Sequence, residues 1–278
     1  PQRVFDVPAS IDSVDGETIR DQQLRVNLSE TLGRVPGLLI QNRQNYAQDL
    51  QVSSRGFGAR STFGVRGVRL IQDGIPLTMP DGQGQTALFD LDGAKNVEVL
   101  RGPFTALYGN ASGGVINLVT NDGPSRPTLQ ANGFFGTFAS WRAGMTFGGT
   151  TGALNYTGNV SRFETDGFRE HSAARRDLAN LKLGVTIDDD SKLTLIGNSL
   201  EQHNTQDPLG LTQAQLDENP RQAGTNAVLF NTRKSIDHQQ GGAVYERRIT
   251  SYDTVRILGY GGHREVVQHL AIPLAAQG

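Results

Sequence analysis

Apolar residues recur with one period in the first part of the chain and another in the rest. Between residues 18 and 35, Leu24, Leu28, Leu32 and Val35 fall at spacings of three and four, as on one face of a helix. Asn27 stands before Leu28 with Glu30 three positions on, the pattern of an N-cap and its capping-box partner, and Pro36-Gly37 ends the run. Strand-like runs follow at 37–41, 50–54 and 68–77, and Asp73-Gly74 between apolar segments predicts a two-residue hairpin. VEVLRGPFTALYGNASGGVINLVT (97–120) then sets two β-branched runs around a turn crowded with Gly, Pro and aromatic residues. Up to residue 120 the pattern predicts a small mixed α+β unit with long loops.

After NDGPSRP (121–127) the period becomes two. Trp141, Ala143, Met145 and Phe147 alternate with Arg142, Gly144 and Thr146; Leu181, Leu183, Val185 and Ile187 alternate with Lys182, Gly184 and Thr186. Strands are expected at about 128–135, 140–147, 154–163, 179–187, 192–202, 239–249 and 255–268. From the second connection onward, short connections (GGTTGA, DDDS, TSYD) alternate with long ones (164–177, 203–237), so the two ends differ. A transmembrane barrel has that asymmetry. A soluble antiparallel sandwich shares the strand period and stays open at this point.

Composition mainly removes alternatives. Gly is 34 of 278 residues, which suits strands and tight turns, and a net charge of −2 gives no basic surface for nucleic acid. With no cysteine there is no disulfide framework or thiolate metal site, and the five histidines show no ligand-type pairing. No metal site is expected on the protein. No apolar run reaches the ~18–20 residues of a spanning helix. Gly-x-Ser-x-Gly and His-Glu-x-x-His motifs are missing, and GQGQ lacks the setting of a nucleotide loop, so no catalytic residue is assigned. The acidic run 188–190 fits a turn better than a calcium loop. No basic-then-apolar leader follows Pro1, so a signal peptide is cleaved, omitted or was never present.

Arg55-Gly56-Phe57-Gly58, VRLIQDGIPLTMPDGQGQ and VEVLRGPFTALYGNASGGVINLVT, in that order, resemble the plug domain of TonB-dependent outer-membrane receptors. In that family an N-terminal plug fills a barrel of about 22 strands. The resemblance spans essentially residues 1–120, and GIPLTMPDGQGQ and RSTFGVRG are most similar to YncD-like probable iron-transport receptors. It implies an α+β plug domain (1–120), a linker (121–127) and antiparallel transmembrane β-barrel strands over 128–278, about seven of an incomplete 22-stranded barrel. The full barrel needs roughly 200 residues in strands alone, so the chain is expected to be part of a longer receptor, with further strands after it and a TonB box upstream.

The resemblance also implies roles. Arg55 and Arg101, of the RGF and RGP motifs, face barrel glutamates in an ionic lock. Gly102, Gly109, Gly113 and Gly114 sit where φ is positive or backbones meet closely, Pro103 fixes a bend, and Phe104 and Tyr108 anchor the turn by burial. Loops 43–48, 58–67 and 78–86 form the plug apices, where Arg43, Tyr46, Arg60 and Arg66 meet an anionic chelate and Gln83 and Gln85 orient it. The implied function is energised uptake of a scarce nutrient, a ferric siderophore or other iron chelate, across the Gram-negative cell outer membrane. The implied partners are the TonB transducer, the ferric chelate and outer-membrane lipid, without a resident cofactor. Cobalamin or carbohydrate uptake is the alternative within the family; a surface-exposed binding or adhesion module is the alternative outside it.

Overall fold

Where the hydrophobic period changes, the chain leaves one sheet and begins another. The computed structural model describes residues 10–21, 23–61, 64–102, 107–109 and 111–272. The first sheet holds β1 (Ser10–Asp15), β4 (Arg69–Gln72), β5 (Ile75–Pro76), β6 (Ala94–Arg101) and β7 (Val115–Thr120), in the order β1-β6-β7-β4-β5. It is mixed, because β4 and β7 run parallel and the other pairs antiparallel. β2 (Leu38–Gln41) and β3 (Gln51–Ser54) form a separate hairpin. Asp73 and Gly74 connect β4 to β5 with φ of 50° and 88°, the left-handed pair that a two-residue hairpin requires.

The helix expected over 18–35 is interrupted. Two short pieces form, α1 (Gly16–Arg20) and α2 (Ser29–Leu32), and between them Arg25 takes φ of 61°. The cause is Glu30, whose carboxylate accepts the backbone N–H groups of Arg25, Val26 and Asn27 at 2.6, 3.1 and 2.7 Å. Three successive N–H groups committed to that carboxylate are not available to the carbonyls four residues back, as a continuous helix would require. Asn27 is therefore not the N-cap; Leu28 holds that place without a side-chain bond. The apolar period itself still serves the core, since Leu28, Leu32 and Val35 are buried with Leu70, Val97 and Ile116.

Residues after the linker form one seven-stranded antiparallel meander, β8 (Thr128–Phe135), β9 (Trp141–Thr151), β10 (Leu154–Thr165), β11 (Ala174–Asp188), β12 (Ser191–Gln206), β13 (Arg233–Arg248) and β14 (Thr254–His269). Several strands are longer than the alternation predicts; β12 and β13 have 16 residues each, where 192–202 and 239–249 were expected. The extra length lies in segments such as ARRD (174–177) and RKSID (233–237), where charged side chains break the apolar alternation although Ala174 and Ile236 stay buried. There the backbone ladder continues after the hydrophobic signal has ended. The loop expected over 203–237 shrinks to 207–232 and contains α3 (Gln213–Glu218) and α4 (Thr225–Leu229).

Burial on this sheet is the reverse of a soluble protein's. Met145, Val160, Leu181, Ile187 and Leu195 are exposed on one face, whereas Arg142, Asn159, Arg176, Asn198 and Gln202 are buried on the other, against the first sheet. An apolar outer face with a polar inner one is the pattern of a barrel wall. The inner face also carries Leu200 and Ile236, both fully buried, into the core of the first unit.

The linker is stitched to the wall at Gly123, whose N–H donates to Asn155 Oδ1 at 2.9 Å while Asn155 Nδ2 donates to its carbonyl at 2.7 Å. A Cβ there would lie 2.2 Å from the Tyr156 carbonyl oxygen and 2.4 Å from that of Gly149. Gly123→Ala is expected to destabilise the protein by about 1–3 kcal/mol through overpacking. Gly136→Ala, whose Cβ would meet nothing closer than 3.7 Å, serves as the near-neutral control in thermal unfolding. Equal melting temperatures for the two variants would contradict the tight approach.

Candidate functional site: the plug–wall seam and the plug apex

The inward parity of β9 points Arg142 at the plug, where Asp92 stands between it and Arg25. Arg142 Nη2 donates to Asp92 Oδ2, and Arg25 Nη1 lies 2.9 Å from Asp92 Oδ1. The side chains of Arg142, Asp92 and Arg25 are 2%, 4% and 8% exposed. Asn132 of β8 accepts from both guanidinium groups, at 2.9 Å from Arg25 and 3.1 Å from Arg142. Two cations on one carboxylate leave an excess positive charge, and the Phe134 ring, 5.1 Å below the Arg25 guanidinium, faces it with its negative π surface.

Further wall residues grip plug backbone. Arg176 of β11 donates to the Val26 carbonyl at 2.6 Å and to Gln202 Oε1 at 3.1 Å, and Gln202 in turn donates to the Tyr46 carbonyl at 3.1 Å. Lys182 donates to the Thr120 carbonyl at 3.1 Å and pairs with Asp122 at 2.9 Å, while Gln240 reaches the Pro76 carbonyl at 3.0 Å. Lys234 pairs with Asp49 at 3.1 Å, both buried. From the long loop, Asp207 accepts from Asn45 at 2.7 Å and from Gln48.

An amide row completes the seam. Asn198, Asn180 and Asn159 are cross-strand neighbours on β12, β11 and β10. Asn198 donates to Asn180 at 2.7 Å, Asn180 to Asn159 at 3.2 Å, and Asn159 to Asp90 Oδ2 at 2.7 Å. Burial, with the neighbouring charge of Asp92, pushes the Asp90 carboxyl up to about 7, against the bonds it accepts from Gly93 and Asn159.

The expected ligand residues divide by position. Arg43, Arg60 and Arg66 are exposed, and Arg66 pairs with Asp81 at 3.1 Å. Tyr46 is half-buried, its ring 4.9 Å from that of Phe163 on β10, and burial raises its hydroxyl pKa. Gln83 is partly buried and its backbone N–H is bound to Asp81 at 3.0 Å. Gln85 is buried and accepts from Arg264 of β14 at 2.6 Å, which places it in the seam and not on the apex surface.

The motif arginines also differ from one another. Arg101 is buried and pairs inside the plug, with Asp12 of β1 and the Pro36 carbonyl. Arg55 is exposed, with φ of 48°, and among the described residues it forms no ion pair. Gly102, Gly109 and Gly114 have φ of 110°, 77° and 121°, and a Cβ on Gly113 would meet Phe57 Cβ at 2.7 Å. Pro103 and Phe104 lie outside the described residues. Tyr108 is 39% exposed and does not anchor the turn by burial as expected; with the exposed Leu107 it lines a cleft shared by the plug sheet and wall residues such as Lys182 and Arg256.

Sequence reasoning assigned no role to Asp90, Asp92, Arg142, Asn159, Arg176 or Lys182. A signal existed for some of them: Arg142 in WRAGMTF and Lys182 in NLKLGVTI are cations at the polar parity of amphipathic strands, where a wall meets its contents. For Asp90 and Asp92, two carboxylates inside the apolar string LFDLDG were the available cue.

Asp92→Asn leaves Arg25 and Arg142 buried without a counter-charge and is expected to cost roughly 3–5 kcal/mol. Arg142→Met leaves Asp92 paired with Arg25 and is expected to cost less; equal losses in thermal unfolding of the detergent-solubilised protein would refute the shared-carboxylate account. Asp90 supplies a pH test. Folded, it keeps its proton up to about 7, whereas the unfolded chain releases it near the ordinary aspartate value of 3.8. Between those values the folded state binds more protons, so this residue's contribution makes stability fall as pH rises from about 4 to 7. Asp90→Asn is expected to flatten that window relative to the parent, and an unchanged difference across pH 4–7 would count against the burial effect.

Comparison with known proteins agrees with this geometry. A family model described as TonB-dependent Receptor Plug Domain matches residues 3–115. The pesticin receptor of Yersinia pestis is 30% identical over 196 residues, covering 65% of this chain and 28% of that protein. The ferric enterobactin receptor PirA of Pseudomonas aeruginosa is 27% identical over 192 residues, covering 63% and 24%. The crystal structure of the ferric citrate transporter FecA in its unliganded form superposes with a TM-score of 0.82 at 21% identity, over 95% of this chain and 41% of that one. The chain thus spans well under half the length of the proteins it matches. Residues 3–115 thus belong to the plug domains of TonB-dependent receptors, a family of Gram-negative outer-membrane proteins that are not enzymes, and the chain as a whole has the fold of such a plug followed by part of the barrel wall.

Proposed function

We propose that the receptor to which this chain belongs takes up a ferric siderophore or another iron chelate across the outer membrane, energised by TonB through a box preceding the plug. The observation that carries the reading is the division of arginines. Arg25, Arg101, Arg142 and Arg176 are buried and committed to holding the plug, whereas Arg43, Arg60 and Arg66 stand exposed on its loops. Exposed guanidinium groups on a rigidly held platform suit anionic oxygen ligands such as carboxylates and catecholates. Tyr46 and Gln83, at the margin of the same loops, would add hydrogen bonds.

The iron reading draws support from the names of relatives, which include receptors for ferric enterobactin and ferric citrate. The narrower likeness to YncD-like receptors rests on the loops GIPLTMPDGQGQ and RSTFGVRG. Residues 1–120 would act as the plug, 121–127 as its tether and 128–278 as wall. Arg55 and Arg101 would meet barrel glutamates from strands beyond the seven described, Arg101 in addition to its present bond with Asp12.

A strain deleted for the full-length gene is expected to lose uptake of radioactive iron from at least one chelate among catecholate, hydroxamate and carboxylate types. Inactivating TonB should abolish the same uptake in the parent. Unchanged accumulation from every iron source, with loss of cobalamin or carbohydrate uptake instead, would replace iron by that nutrient. No uptake defect together with loss of surface attachment would favour an adhesion module.

A further inference from the structure

The amides of Asn198, Asn180 and Asn159 form one row on the inner face of β12, β11 and β10, and all three point the same way. Each gives its Nδ2 to the next, and the last gives its own to Asp90 Oδ2 at 2.7 Å. β10, β11 and β12 are each paired on both sides, so the row lies wholly within strands that have their neighbours. Asn159 and Asp90 are buried. Aligned amides bonded head to tail are cooperative: reversing one member obliges the next to reverse.

Both carboxyl oxygens of Asp90 are occupied as acceptors, Oδ2 by Asn159 and Oδ1 by the Gly93 N–H at 2.9 Å. A proton on this carboxyl group is therefore a donor facing other donors. The Gly93 N–H is fixed by the backbone, whereas the Asn159 amide can turn about one bond and offer Oδ1 in place of Nδ2. Asn180 and Asn198 then follow. Gln240, opposite Asn198 on β13, carries the next acceptor along the row, an Oε1 that lies 3.3 Å from His238 Nε2.

The surroundings of Asp90 favour that proton. Burial, reinforced by the anions Asp92 of the same loop and Asp73 of the β4–β5 turn, raises its pKa to about 7. The cations nearby are engaged elsewhere, Arg25 and Arg142 by Asp92, and Lys182 by Asp122 and the Thr120 carbonyl. To the small cavity beside Asp90, β10 and β12 contribute neutral groups, among them Thr157 and Asn198. Asp73 and Lys182 line both this cavity and the larger cleft between plug sheet and wall, which gives a proton a polar way in.

We propose that Asp90 and the asparagine row are a pH-sensitive latch between plug and wall, in which uptake of a proton by the carboxyl group reverses the three amides together. Without the proton Asp90 accepts from the row; with it, Asp90 donates into the row. The first setting buries a charge beside Asp92 and Asp73, so segment 86–93 is held less firmly above about pH 7 than in mild acid. The latch is independent of which nutrient is carried.

Infrared difference spectra of the full-length protein, taken between mild acid and mild alkali, read the carboxyl group directly. A protonated-acid carbonyl band is expected to vanish with a midpoint near 7 in the parent and to be missing from Asp90→Asn; identical spectra in the two overturn the proposal. Asn180 is bonded to Asn159 and Asn198 and not to Asp90. Asn180→Leu frees Asn159 to turn, so the midpoint is expected to rise by about 0.5–1 pH unit; a midpoint that stays or falls overturns the coupled row. Asn180→Ala removes the same donor with less bulk and gives the same reading if the leucine variant does not assemble. Arg248→Gln, at an exposed pair with Asp190, should leave the midpoint in place, and an equal shift there overturns the row as well. Hydrogen exchange, corrected for its intrinsic pH dependence, is expected to show 86–93 less protected at about pH 7.5 than at about pH 5 in the parent but not in Asp90→Asn. Equal protection at both pH values in the parent overturns the latch.

Discussion

Asp92 held between Arg25 and Arg142 is the interaction on which the remaining architecture depends. A barrel wall that turns its apolar face outward must put its polar side chains inside, and a buried guanidinium without a partner is destabilising by several kcal/mol. The plug supplies those partners. Arg142 and Lys234 find carboxylates on it, Arg176 and Gln202 find carbonyl oxygens, and Asn159 finds Asp90. Neither half satisfies all of its own buried polar groups, so the two specify one another's position.

The form of these contacts matters as much as their number. Val26, Tyr46, Pro76 and Thr120 accept wall donors through backbone carbonyls. Such bonds fix where a loop starts and ends without constraining its side chains. Arg43, Arg60 and Arg66 are accordingly displayed from segments whose flanks are tied to the wall or to the plug sheet. A firm base beneath variable tips is suited to recognising a ligand while keeping the plug seated.

Several features were legible because they are local. Asp73-Gly74 encodes its hairpin through the left-handed conformations those residues tolerate, and the alternation from Trp141 to Phe147 or Leu181 to Ile187 places strands and their faces. The motifs around Arg55 and Arg101 carried the family likeness. Features set by distant partners were not legible. Leu24, Leu28, Leu32 and Val35 are spaced for a helix, yet the carboxylate of Glu30 gathers three backbone donors and turns the chain at Arg25, whose side chain goes to Asp92.

The sequence by itself determined the two textures, the strand faces, the hairpin turn and the kinship of the first 120 residues, since each depends on neighbours within a few positions. Only the tertiary structure decided which polar side chains meet. Asp92 pairs with Arg142 across 50 positions and Gln85 with Arg264 across 179, while Arg101 is turned inward to Asp12. The reason is physical: a periodic pattern states which face of a strand a charge occupies, but the energy of a buried charge is set by whatever the fold brings within about 3 Å of it.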